Sequence, residues 1–123
     1  GLLQVLVKGA HVFGESGEAF IADIGVAASP AVRVDQGTPR AVIAGTIAEL
    51  GDLRVFGAIE AIDGHGLTAV PPPAGVVKEG DIVPLPPRSA CSVRVGQPAE
   101  LMLLRPGESA GAWRVERIIR FAR

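Results

Sequence analysis

The most regular run of apolar and polar positions is residues 54–70, RVFGAIEAIDGHGLTAV. In an extended chain Val55, Gly57, Ile59 and Ala61 fall on one face, and Phe56, Ala58, Glu60 and Ile62 on the other. Asp63-Gly64-His65-Gly66 has turn chemistry: glycine accepts positive φ, and Asp can accept a hydrogen bond from the backbone just ahead. The pattern predicts a hairpin in which residues 67–70 return alongside the first strand. Pro71 ends the ladder because it has no N–H to donate.

The same two-residue period recurs along the chain. Residues 2–8, LLQVLVK, predict a strand with Leu3, Val5 and Val7 inward, and 11–17, HVFGESG, a loop. Residues 18–24 predict a second strand, broken by 25–30. In 31–35, AVRVD, Val32 and Val34 point inward and Arg33 outward. Gln36-Gly37-Thr38-Pro39 is a turn. Residues 38–50 fit a helix capped by Thr38 with Pro39 in its first turn, but Val42, Ile43, Thr46, Ile47 and the internal Gly45 favour a strand. Pro71, Pro72, Pro73, Pro84, Pro86 and Pro87 make 71–88 an extended, semi-rigid arm or loop, with a turn at Lys78-Glu79-Gly80-Asp81. Residues 92–95 and 100–104 (ELMLL) read as strands, the latter buried. For 113–123, WRVERIIRFAR, a strand puts Trp113, Val115, Ile119 and Phe121 on one face, whereas a helix strands two aromatics among the arginines.

The expectation is an all-β domain over 1–123, a small β-barrel or β-sandwich of short antiparallel strands with 71–88 as its proline-rich segment.

Composition sharpens this picture. Apolar residues reach 48% and charged residues 20%, against about 25% charged in ordinary soluble domains. Such a chain buries an unusual share of itself or is covered by other chains. Asn and Tyr are absent and arginines outnumber lysines ten to two, a bias suggesting a GC-rich bacterial or bacteriophage genome. Residues 1–50 and 51–90 each carry three basic and five acidic groups, and 91–123 carry six Arg and three Glu. A basic tail on a weakly acidic body suits self-association. No run of about 18 apolar residues is present, so no membrane-spanning helix is expected. The first residues show no basic stretch leading into an apolar segment, so no signal peptide is expected.

Candidate chemistry is sparse. His11, His65 and Cys91 show no metal-ligand spacing, and no cofactor motif is present. Cys91 with His65 is a conceivable nucleophile pair, but Cys91 reads better as a small buried filler and His65 as a turn residue. Glu60 and Asp63 are explained by an outward strand position and the turn. Gly14-Glu15-Ser16-Gly17 has no phosphate-binding Lys, and Glu15 repels phosphate. The best candidates for contact are Pro84, Pro86, Pro87 and Arg88, a stiff segment, and Arg114, Arg117 and Arg120, the basic tail. On a strand those arginines divide between faces and most aromatics read as core, which disfavours nucleic acid.

The sequence therefore favours a non-enzymatic subunit of a large assembly, associating with itself and other subunits. A bacteriophage virion component (capsid decoration, neck or tail) is the leading case, located in the virion. The alternative is an OB- or SH3-like barrel module in the bacterial cytoplasm, binding a ligand or nucleic acid through a groove lined by Arg94, Arg114 or Arg120.

Overall fold

A computed structural model describes residues 2–121. Gly1, Ala122 and Arg123 lie outside the described residues, and with them the end of the stretch expected as strand over 113–123. The chain is nearly all-β, about 60% strand with no α-helix among the described residues, in a strongly curled half-barrel. Eight strands follow in order: β1 Leu2–Phe13, β2 Ala19–Asp35, β3 Thr38–Gly51, β4 Gly57–Asp63, β5 Thr68–Val70, β6 Ile82–Pro84, β7 Leu101–Pro106 and β8 Ala112–Ile119. A single 3-10 turn, Arg88–Ala90, precedes β7. The sheet order is β3-β2-β1-β5-β7-β8-β6, and β4 pairs with β1. Both ambiguous stretches are strands, because β-branched and aromatic side chains fit a pleated surface better than a helix.

The segment before β7 reaches β3: the Ile47 and Ala99 amides donate to the Gln97 and Gly45 carbonyls at 2.9 Å, and Gly96 N–H donates to Ile47 O at 2.8 Å. Inside lies the main core, with Val5, Val7 and Val12 from β1, Ile24 and Val26 from β2, Ile47, Ile62, Ala69, Leu101, Leu103 and Ile119. Met102 and Leu104, alternating with Leu101 and Leu103, enter a second cluster with Phe13, Val70, Cys91 and Val115. So residues 101–104, LMLL, are apolar throughout because both faces of β7 are covered there. Leu3, Leu6 and Leu53 form a third cluster with Phe56 and Ala58.

Four expectations are corrected. First, residues 57–70 do not form a hairpin. β4 and β5 both run parallel to β1, with Lys8 opposite Asp63 and His11 opposite Thr68. The Asp-Gly-His-Gly turn, closed by Leu67 N–H to Gly64 O at 3.0 Å, inserts two extra residues without reversing the chain. Gly64 is required by close approach, since a Cβ there would lie 2.9 Å from the Lys8 carbonyl oxygen. Turn residues announce a bend, but the partner strand β1 sets its direction.

Second, 25–30 does not break β2. A bulge between Gly25 and Val26 absorbs the irregularity, and pairing with β3 continues to Asp35. Likewise His11–Phe13 belong to β1 rather than to the following loop.

Third, of the arm or loop expected over 71–88, the arm is not found: the segment is a loop that returns to the sheet. β6 pairs with β8, Gly80 N–H donates to Val115 O at 2.7 Å, and Val77, Val83 and Leu85 cover the second cluster.

Fourth, the apolar residues of β8 do not share one face. Leu103 pairs with Arg117 and Leu104 with Val115, so Glu116 bulges. Trp113 and Val115 pack on the second cluster, and Ile119 and Phe121 on the main core. One extra residue exchanges the faces.

Candidate functional site

Beyond Val26, β2 has outrun β1, and with β3 it continues as a two-stranded ribbon over 28–45. Its tip is a two-residue turn with Gln36 at φ 51° and Gly37 at φ 80°, the doubly positive geometry of a type I′ hairpin, whose twist matches the flanking strands. Directly opposed residues share a face. The pairs Val26–Ile47, Pro30–Ile43, Val32–Ala41 and Val34–Pro39 therefore continue the barrel's inner face outward. Val32 and Val34 do point to the core face, as their alternation implies, but no core is left there: they are 71% and 67% exposed, and Ile43 is 54% exposed. The other face carries Arg33, Arg40, Asp35 and Thr38.

The ribbon's two edges are defended. In a two-residue hairpin, pairing alternates outward from the hydrogen-bonded Asp35–Thr38 pair, so the backbone nitrogens of Val34, Pro39, Val32, Ala41, Pro30 and Ile43 point away from the partner strand. Pro39 on one edge and Pro30 on the other thus remove outward donors and hinder an added strand. What the ribbon offers is side chains.

At the opposite end of β2 and β3, on the outer surface of the sheet, lies a cleft of about 600 Å3. Leu6, Phe20, Ile21, Leu53 and Phe56 wall it, with Lys8, Asp23, Asp52, Arg54 and His65 among them. Asp23 fixes its floor. The Gly9 amide donates to Asp23 Oδ1 at 2.9 Å and the Leu53 amide to Oδ2 at 3.0 Å. This clamps the β1 bulge, where Gly9 takes φ 67°, to the segment following β3. Asp52 pairs with Arg54 at 2.7 Å, and hydrogen bonding from that guanidinium lowers the Asp52 pKa. Asp63 accepts from the His65 amide at 3.0 Å and lies 2.6 Å from His65 Nδ1. The amide first, then the ring, lowers its pKa.

The residues singled out from sequence are dispersed. Pro84 pairs with Ala112 in the ladder. Pro86 O accepts from Cys91 Sγ at 3.2 Å, and Pro87 O accepts from Ala90 N–H. Arg88 stacks 4.5 Å above the Phe13 ring and donates to Gly17 O at 2.6 Å. Arg114 is exposed opposite Ile82. Arg117 of β8 forms an ion pair with Glu60 of β4. Arg120 lines a polar crevice with Arg33, Glu100 and Phe121, while Arg94 pairs with Glu15. Cys91 is buried, its thiol pKa raised by desolvation, and lies in a different cluster from the cleft that His65 lines. No group of three His, Cys, Asp or Glu side chains able to hold a metal occurs among the described residues, and no helix there is long and apolar enough to cross a membrane.

The ribbon and the cleft escaped the sequence reading. The signal for the ribbon was present in prolines spaced to face outward on apolar strands, but strand length past the core is set by β1, not by β2 or β3. Set against known families, curated proteins and solved structures, the chain matches none of them.

Proposed function

We propose that this protein is a non-enzymatic assembly subunit that associates with copies of itself and with other subunits, in the manner of a bacteriophage capsid-decoration, neck or tail component. The ribbon carries this reading. An isolated two-stranded hairpin is marginal in water, yet this one extends beyond the body with an apolar face open to solvent and both edges blocked by proline. Such a device suits docking on a neighbour and resists indiscriminate strand pairing. The shortage of charge in the sequence agrees with a surface covered in use. Light scattering of the purified chain at low and high salt tests the proposal. A mass several times that of one chain is expected, and a monomer at every concentration would count decisively against self-association. Mass spectrometry of purified particles from the source tests placement in a virion.

A further inference from the structure

We infer that β4 offers its free edge to β4 of a second copy, so that two chains join by antiparallel strand pairing about a two-fold axis. The inference rests on the assembly reading and names one partner in it, another copy of this chain.

Among the described residues, the only strand beside β4 is β1. The Gly64 amide donates to Lys8 O at 2.7 Å, just past the paired Lys8 and Asp63. Successive residues of a strand send their backbone groups to alternate sides. Ala58, Glu60 and Ile62 therefore face β1, and Gly57, Ile59 and Ala61 turn their N–H and C=O groups outward. Other exposed edges are defended. The ribbon has Pro30 and Pro39, and β6 is three residues ending in Pro84. Along β8 the Glu79 carboxylate accepts from Ile118 N–H at 3.3 Å. β4 contains neither proline nor lysine. What such a row of backbone groups accepts is another extended chain.

The strand's own sequence suits it as that chain. With the axis through Ile59, Ile59 faces its own counterpart and Gly57 faces the counterpart of Ala61. Each of these pairs exchanges two hydrogen bonds, about six in all. The side chains of Gly57, Ile59 and Ala61 share one face, and the small Gly57 and Ala61 leave room for two isoleucines side by side. Ile59 is 66% exposed. Leu2 pairs with Gly57 and widens the apolar face, its Cδ1 lying 3.6 Å from where a Gly57 Cβ would stand. Charge permits this register. Glu60 faces the counterpart of Ala58 rather than another carboxylate, and Arg117 already pairs with it. Asp63 lies beyond the paired residues. Because the same strand serves both chains, the contact is isologous and closes at two. A single short strand covers less than a standard interface, so the dimer is a weak one.

Ile59→Lys sets two cations side by side on the axis at a position open to solvent, and circular dichroism checks that the fold is kept. Sedimentation of the wild type from about 1 to 500 µM is expected to show monomers and dimers in equilibrium, with the variant weakened at least about tenfold. Amide exchange at Ile59 and Ala61 is expected to slow as the wild-type concentration rises, and to stay fast in the variant. As a second readout, Ile59→Cys is expected to give a disulfide-linked dimer on mild oxidation. Facing Cα atoms of a hydrogen-bonded pair lie about 5.5 Å apart, within disulfide reach. Ile21→Cys, on β2 and 65% exposed, is the control and is expected to cross-link far less. If the wild type associates but Ile59→Lys associates equally well, or the β4 amides exchange at one rate at all concentrations, or both cysteines cross-link equally, the β4 contact is wrong while self-assembly stands. If the wild type stays monomeric at every concentration, both are overturned.

Discussion

Removing the Asp23 carboxylate tests whether the cleft is a built feature. In Asp23→Ala the amides of Gly9 and Leu53 lose their acceptor at 2.9 and 3.0 Å. Hydrogen bonds to a charged group contribute about 1.5–3 kcal/mol each when water cannot replace them. Asp23 is half-buried, so water recovers part of the loss, and about 1–1.5 kcal/mol per bond remains. The expected destabilisation is therefore about 2–3 kcal/mol, or a fall in Tm of roughly 8–15 °C for a domain of this size. Urea unfolding followed by circular dichroism measures it. Asp23→Asn keeps one good acceptor and should lose about half as much. Asp52→Ala, which removes only exposed contacts with Arg54, an ion pair and a hydrogen bond from its amide, should change stability by less than about 0.5 kcal/mol. A loss below about 0.5 kcal/mol for Asp23→Ala, or equal losses for Asp23 and Asp52, would refute the clamp and leave the cleft as an accident of loop placement.

Three further outcomes follow from the geometry. Replacing Pro30 and Pro39 together with Thr restores two outward N–H groups on apolar strands, and light scattering on heating should show earlier aggregation with the fold unchanged. Trp113→Ala should cost about 1.5–3 kcal/mol in urea unfolding, less than the 3–5 kcal/mol of a fully buried aromatic, because Trp113 is only half-buried against the second cluster. Asp63 has a pKa below 3.8 in the fold, so it favours the native turn above the unfolded value and that contribution disappears as pH falls through the depressed one. Carboxyl NMR should place its midpoint below 3.8, and His65→Ala should raise it only partway, since the backbone amide is the larger cause.

The all-β character was legible because alternation of apolar and polar residues is a local property, and most strands were located to within a few residues, but 92–95 is not a strand and makes only an isolated bridge from Ser92 to Phe13. Direction and extent were not legible, because each depends on a partner far away in sequence. Leu67–Val70 looked like a returning strand, yet β1 offered a parallel edge on which β4 and β5 run end to end. Glu116 gave no local sign of bulging, but its extra residue divides the apolar residues of β8 between two cores. The same reasoning bears on function. Val32 and Val34 were read as core because they alternate with Arg33, and in orientation that reading was right; the sheet that would have buried them ends at β1. A sequence patterned for burial, at positions its own fold leaves open, and edged with prolines that deter strand addition, is what supports the proposed assembly role.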